Sequence, residues 1–403
     1  MRWSRCSKVV IWLIVVVVTL QLLDYDWNIF NLTRNRPSRP NLLSTSDSGS
    51  KSTLQVNVPV VHQGHHTNKT SVRFIDLPLS TPFDLDLRVI VITYNRGNSV
   101  LRLLNSLNEA DYLGDKVAID VWIDRSKDGV IHEETYAKAR QFKFKHGIIN
   151  VHNQTQHAGI YGQWMKTWNP SLDSKEIAVI LEDDLTVSKY FYKWLKNVHA
   201  KYDSLLYING FALQGYSMKH GGGPGQLRAP DENIVFMYPI LGTWGFSPSR
   251  ENWIKYVKWY DNMSEVSGFH PTVAGILPTL WYNNFLKQGK TGGMWSMWHV
   301  YHAWKFKERS IYPNLPGKCG LTINWKEAGL HYSKSQTVTE NKDPILTAWD
   351  GKFDNLPDVP IHLNVNGKID ENFLNINTLL NSRDPVPRFK VFCFPASLAI
   401  KME

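Results

Sequence analysis

Residues 177–188 read Ile-Ala-Val-Ile-Leu-Glu-Asp-Asp-Leu-Thr-Val-Ser, an unbroken apolar run that passes directly into three acids. A short continuous apolar run predicts a strand buried on both faces, as in a parallel sheet covered by helices. Glu182, Asp183 and Asp184 then stand together at the end of that strand. Carboxylates packed side by side repel and raise one another's pKa unless a cation compensates them. With no neighbouring His or Cys, a hard divalent ion such as manganese or magnesium suits these oxygens better than zinc. The alternative is a solvated acidic turn that caps the following helix.

Working outward from that strand, residues 88–93 (Arg-Val-Ile-Val-Ile-Thr) form another apolar run, closed by Tyr94, Asn95 and Arg96. Residues 97–108 carry Val100, Leu103, Leu104 and Leu107 at helical spacing. A strand is expected over 117–124, closed by Asp124, Arg125 and Ser126, and helices over 133–144 and 190–202. Strand and helix alternate, which predicts an α/β fold with a mostly parallel sheet and helices on both faces. Ligands of such sheets sit beyond the carboxyl ends of the strands. All three expected strands end there in polar clusters. After Leu206 the pattern becomes irregular, and residues 221–225 (Gly-Gly-Gly-Pro-Gly) read as a turn or mobile loop. There is no internal repeat and no Gly-rich phosphate loop ending in Gly-Lys-Ser/Thr.

The start of the chain has a different character. Arg2, Arg5 and Lys8 precede an apolar run over 9–20 that continues through Leu22 and Leu23, and Asp24 and Asp26 follow. The run is shorter than the ~20 residues that span a typical bilayer. Trp12, Tyr25, Trp27, Ile29 and Phe30 extend it, and early secretory membranes are thinner. Basic residues before the run place the N-terminus in the cytosol. A cleaved signal peptide is the alternative, but no small-residue cleavage pattern follows the run. The expected layout is a cytosolic tail at 1–8, a transmembrane signal anchor at 9–27, a disordered stem at 28–82, a catalytic domain at 83–340 and a C-terminal extension at 341–403. The stem is rich in Ser, Thr, Asn and Pro and lacks an apolar period. Cys6 lies just on the cytosolic side, where palmitoylation is an option.

A lumenal domain makes four glycosylation triplets usable, at Asn31, Asn68, Asn153 and Asn262. Cys319 and Cys393 are then the two lumenal cysteines, and their pairing stays open. Three cysteines in 403 residues exclude a disulfide-rich scaffold. Hydrophobic residues at 43% and charged residues at 20% exclude a wholly disordered chain, and a mean hydropathy of −0.30 excludes a polytopic membrane protein. A net charge of +9 favours anionic ligands without naming one. No nucleic-acid partner is expected.

Four segments carry a resemblance: residues 88–96, residues 121–124 (Val-Trp-Ile-Asp), residues 180–195, and Leu241-Gly242-Thr243-Trp244-Gly245-Phe246. The first three resemble the nucleotide-binding half of GT-A-fold glycosyltransferases, the third being similar to animal N-acetylglucosaminyltransferase I and its protein O-mannose relative, and the fourth resembles the Gly/Trp turn shared by that enzyme and bacterial family-2 sugar transferases. Residues 128–135 resemble the stretch after the second strand of N-acetylglucosaminyltransferase I. Residues 295–325 resemble bacterial family-2 sugar transferases more closely. The likeness covers roughly residues 86–335. It implies that Asp184 binds manganese, that Glu182 and Asp183 hold the nucleotide and donor sugar, and that Asp124 hydrogen-bonds uracil. It also implies that Arg96 and His157 lie near the nucleotide, with Asp183 and Asp184 counted as catalytic. Late histidines in such enzymes join the metal, a role that would fall to His331. Trp244, Trp281, Trp295, Trp298 and Trp304 offer flat faces for an acceptor sugar, with Trp244 and Trp295 expected to line the cleft.

One departure stands out. Where N-acetylglucosaminyltransferase I places its base in a Trp-Asp-Asp-Trp segment, this chain reads Trp295-Ser296-Met297-Trp298. Neither Ser296 nor Met297 takes a proton as a carboxylate does. Glu251, Asp261, Glu265 and Glu308 are the nearby acids. The resemblance therefore implies a manganese-dependent transferase, single-pass and type II in the Golgi membrane. It would move a sugar from a UDP-sugar to a glycan or glycoprotein. A nucleotide-sugar or carbohydrate-binding protein that has lost catalysis, and a cell-surface adhesion protein, remain as alternatives.

Overall fold

The computed structural model describes residues 85–220, 226–327, 343–371 and 373. The expected anchor and stem, Cys6, Asn31, Asn68, residues 221–225, His331 and Cys393 lie outside the described residues. No helix among the described residues is long and apolar enough to cross a membrane.

In chain order the elements are β1 (Leu87–Thr93), α1 (Gly97–Asn108), β2 (Val117–Ile123), α2 (Glu133–Gln141), β3 (Gly147–Asn153), α3 (Gly159–Lys166), β4 (Ile177–Glu182), β5 (Leu185–Val187), α4 (Phe191–Tyr202) and β6 (Ile208–Ala212). There follow β7 (Ser217–Met218), β8 (Gln226–Leu227), β9 (Val235–Tyr238), β10 (Phe246–Pro248), α5 (Arg250–Ser264), α6 (Leu277–Lys287), α7 (Ser296–Phe306), β11 (Arg309–Pro313), β12 (Thr322–Asn324) and β13 (Ile361–His362). The main sheet has nine strands in the order β13-β9-β11-β6-β10-β4-β1-β2-β3. Strands β4, β1, β2 and β3 run parallel, and β10 joins antiparallel beside β4.

Side-chain alternation along each strand explains the apolar runs. Val89, Val91, Ile119, Val121, Val179 and Leu181 face one core, shared with Leu103, Leu104 and Leu107 of α1 and Trp194, Leu195 and Val198 of α4. Ile90, Ile92, Ala178 and Ile180 face a second core, shared with Trp164 of α3, Trp253 and Tyr256 of α5, and Met297 and Val300 of α7. Both faces are covered, and the charged residues of the central strands, such as Arg88 of β1 and Asp120 of β2, pair with each other.

Several expectations need correction. The strand expected over 117–124 ends at Ile123, so Asp124 lies just past it, and the strand expected over 177–184 ends at Glu182. The helix expected over 133–144 stops at Gln141, because Phe142 turns extended. The acid-bearing strand is the fourth in the chain, not the third. Strand β3 was not expected, since it lies at the sheet's edge with exposed or half-buried residues and no long apolar run. Region 206–320 adds β6, β9, β10 and β11, strands of three to five residues, to the main sheet, and pairs β7 with β8 in a separate two-stranded sheet. The expected C-terminal extension contributes β13, which pairs with β9 at the opposite edge.

Candidate functional site

The chain builds β1, β2 and β3 outward in one direction and then returns to place β4 on the other side of β1. That reversal opens a crevice at the carboxyl ends of β1 and β4, the place where open α/β sheets bind ligands. Thr93, the last residue of β1, bridges it: its hydroxyl donates to Asp183 Oδ2 at 2.6 Å. Arg96, at the entrance to α1, reaches the same acids. One guanidinium nitrogen bonds Asp183 Oδ1 and another bonds Asp184 Oδ2 at 3.1 Å.

Asp183 is only 1% exposed. Burial pushes its carboxyl up to about 6, against the pull of Arg96. Burial, followed by the charge of Asp184, pushes Glu182 up to about 8. Asp184 is raised as well, again chiefly by burial and against Arg96. Its Oδ1 is buried and has no hydrogen-bond partner. An orphaned carboxylate oxygen among buried acids is an atom that a hard divalent ion would take, while no group of three acidic, His or Cys side chains able to hold an ion is found among the described residues.

A fourth carboxylate joins the group. Strand β12 pairs antiparallel with β5, and the backbone N–H of Trp325 donates to Asp184 O at 2.8 Å. This pairing holds the chain just after the triplet and carries Glu327 to the first turns of α1. Glu327 is 5% exposed and accepts bonds from Ser99 and Arg102, whose guanidinium lies 4.3 Å from the Trp325 ring centre. Its charge bears on both Asp184 and Arg96. Nothing near Glu327 in the sequence singles it out, because the β5–β12 pairing alone brings it there.

Asp124 has its oxygens on backbone N–H groups. Oδ1 accepts from Arg125 and Ala158 at 2.8 Å each, and Oδ2 accepts from Gly159 at 2.9 Å. Two of these donors open α3, so the carboxylate also complements that helix's positive end. Asp124 thus caps both the turn at Arg125 and the start of α3. His157 Nδ1 donates to Arg125 O at 2.7 Å and lies 3.4 Å from Asp124 Oδ2. Docked this way, α3 sends Gln163 Nε2 to the carbonyls of Thr93 and Trp122, 3.1 Å each, and Trp164 Nε1 to Glu182.

The tryptophans divide. Trp244 is half-buried, donates its backbone N–H to Gln214 Oε1 at 3.0 Å, and meets Tyr216 edge-on. Trp281 and Trp304 are exposed and Trp298 is buried. Trp295 stacks on Trp164 at 4.0 Å between ring centres and is 3% exposed. The expectation that it lines an acceptor cleft is corrected on that ground, since its flat face is spent inside the core. Of the acids considered as a base, Glu308 is buried against Asn252, Glu251 pairs with Lys255, and Asp261 and Glu265 are exposed at the end of α5. Among the glycosylation triplets, Asn262 is exposed on α5, whereas Asn153 ends β3 with its Oδ1 buried.

No protein-family model and no curated protein matches the chain. Among solved structures it is similar to mannosyltransferase PcManGT from Pyrobaculum calidifontis in complex with GDP-Man and Mn2+, at 19% identity and a TM-score of 0.29, over 44% of this chain and 48% of that one. It is also similar to S. aureus TarS 1-349, at 18% identity and a TM-score of 0.27, over 44% of this chain and 49% of that one. For the same protein in complex with UDP-GlcNAc the identity is 18% and the TM-score 0.28, over 44% of this chain and 48% of that one. The chain spans about half the length of these structures.

Proposed function

We propose that this chain is a GT-A-type glycosyltransferase that moves a sugar from a UDP-sugar to a glycan or glycoprotein acceptor and depends on manganese or magnesium. The observation that carries this reading is the buried, unpartnered Oδ1 of Asp184 among the acids at the carboxyl ends of β1 and β4, where the strand order reverses. Asp184 would hold the ion, with His331 a further ligand. When bound, the ion supplies Lewis-acid neutralisation of the departing diphosphate. Asp183 and Glu182 shape the donor side of the crevice, and Arg96 offers the diphosphate a guanidinium. Asp124 and His157 lie at the end of β2, where the uracil would be read. Trp244, half-buried on the Gly/Trp turn, gives the acceptor a flat face. The N-terminal run of residues 9–27 anchors the chain as a single-pass type II protein of the Golgi membrane, with residues after it in the lumen.

A second reading has one observation in its favour. None of the acids considered as a base stands by itself in the crevice: Glu308 and Glu251 are paired elsewhere, and Asp261 and Glu265 are exposed at the end of α5. A lumenal nucleotide-sugar-binding protein would tolerate that arrangement. A panel of UDP-sugars, incubated with purified protein and manganese and followed by UDP release with and without glycan acceptors, separates the two. Turnover of one donor supports the transferase. UDP binding without release from any donor supports the binding protein, and no nucleotide binding overturns both.

A further inference from the structure

We infer that the amino end of the main sheet is a membrane-docking surface, on which Trp304 and Phe306 enter the interfacial layer of an anionic bilayer while Lys305 and Lys307 meet its headgroups. This inference goes beyond sugar transfer and rests on the membrane anchoring proposed with it.

The two ends of the sheet are unlike. Strand β10 runs antiparallel to both β4 and β6, and β11 runs parallel to β6, so β1, β4, β6 and β11 all start at the end away from the acids. The segments leading into three of these strands carry large apolar side chains that stay in solvent. Leu172 precedes β4, Leu206 precedes β6, and Trp304 and Phe306, 49% and 48% exposed, precede β11. The last two segments are neighbours. Asn252 Nδ2 donates to Leu206 O and to Glu308 Oε1, 2.9 Å each, and the backbone N–H of Arg309 donates to Tyr207 O at 2.7 Å. Apolar residues scattered singly over a surface are ordinary, whereas gathered ones mark a contact.

The end of α7 shows what kind of contact it is. Trp304, Lys305, Phe306 and Lys307 are exposed in an unbroken row. Lys307 has φ of +59°, a left-handed cap that glycine takes at less cost, and the turn returns Glu308 to the interior. Lysine at that position keeps a charge on the tip. The ammonium groups of Lys305 and Lys307 lie 5.7 Å from the ring centres of Phe306 and Trp304. Neither lysine forms an ion pair among the described residues, nor does Lys175 beside Leu172. The acids Asp203 and Glu251 are taken by His199 and Lys255. Rings at headgroup depth, with unpaired ammonium groups beside them, suit a surface that is apolar within and anionic at its face.

The path of the chain favours the same occupant. The described domain begins at Leu85 and β1 starts at Leu87, at this end of the sheet. The polypeptide that carries residues 9–27 therefore joins the domain on the side of the patch. A tether there raises the effective concentration of the patch at the bilayer, so a weak contact is enough. The acids at the carboxyl ends of β1 and β4 then face away from the membrane.

The test is amide hydrogen exchange, read by mass spectrometry, on the full-length chain reconstituted in vesicles of phosphatidylcholine alone and of phosphatidylcholine with phosphatidylserine at 3:1. On the mixed vesicles, exchange over residues 203–208 and 301–308 should be at least fivefold slower than on phosphatidylcholine alone, with residues 124–130 and 182–186 unchanged. The double variant Lys305→Glu, Lys307→Glu should float with both vesicles and lose the protection of residues 203–208, which it leaves unmutated. Lys305→Arg with Lys307→Arg should keep it. Wild-type chain that floats but exchanges alike on the two vesicles overturns the docking and leaves the anchor standing. Protection that grows with protein concentration on either vesicle means a second copy covers the patch, which also overturns it. A chain that floats with neither vesicle ends both the anchor and this inference.

Discussion

Trp164 donates its indole N–H to Glu182 Oε1 at 3.1 Å, which ties α3 to the first acid of the triplet. The same helix is seated by Asp124, whose carboxylate receives the N–H groups of Ala158 and Gly159. The ends of β2 and β4 are thus joined through α3 across the end of β1, which Gln163 grips by the Thr93 carbonyl. Three strand ends and one short helix form a single polar unit on an apolar sheet. A change at any one of them is felt at the others.

Asp184→Asn keeps the shape of the side chain and removes its charge. The apolar strand before it still packs, so the thermal midpoint should hold close to that of the wild type. Transfer should fall at least a hundredfold, on the order of 3 kcal/mol in activation free energy. Chelation of metal from the wild type should have the same effect. Full activity in the presence of EDTA would remove the metal from the reaction.

Asp124→Ala should act twice. It strands buried backbone N–H groups at the start of α3, which costs about 1–3 kcal/mol of stability and lowers the thermal midpoint. On the uridine reading, it should also weaken UDP binding and narrow the gap between UDP and CDP, since only uracil offers an N3–H. Calorimetric titration of both nucleotides with manganese, beside a melting curve, reads the two effects separately. A lower midpoint with unchanged UDP affinity would leave Asp124 as a helix cap alone.

Gly245 has φ of +87° and sits beneath β4, where an added Cβ would lie 3.0 Å from both Leu181 and Leu213. Gly245→Ala therefore meets backbone strain and crowding together, and should cost about 1–3 kcal/mol in chemical denaturation. A variant as stable as the wild type would show that the turn after Trp244 relaxes freely.

His299 is buried on α7 among Phe246, Trp253 and Tyr256. Burial, followed by the nearby His302, lowers its pKa to about 3. The folded protein keeps this ring neutral while the unfolded chain protonates it near 6.5. Its contribution to stability is therefore present above about pH 6.5 and is lost as the pH falls toward about 3. His299→Leu should flatten that part of the stability profile. Midpoints measured from pH 7 down to pH 4 should converge between the variant and the wild type, or cross, if the ring is responsible.

At the other end of the chain, residues 9–23 should persist in the mature protein as its membrane span. Sequencing of the N-terminus of protein expressed in animal cells checks this. A mature chain that starts beyond Asp24 means a cleaved signal peptide instead.

The sequence by itself determined the parallel α/β half and the end of the sheet where its acids gather. Apolar runs at 88–93 and 177–181 are local signals of burial on both faces, and the polar residues that follow them, Arg96 after the first and Glu182, Asp183 and Asp184 after the second, must emerge where those strands end. It also pointed to Asp183, Asp184 and Arg96, which the fold brings into direct contact. Only the tertiary structure decided the rest, because those features depend on pairings between distant segments. Strand β3 was hidden by its place at the edge, and β6, β9, β10 and β11 by their shortness. Glu327 reaches the crevice only because β12 zips onto β5. Trp295 and Trp244 look alike as residues, yet one stacks into the core and the other stays half open, since burial depends on what packs from elsewhere in the chain. The partners of Asp124 were settled in the same way. A carboxylate at a strand end faces either a ligand or a helix, and the N-terminus of α3 arrives from thirty-four residues further along to meet it.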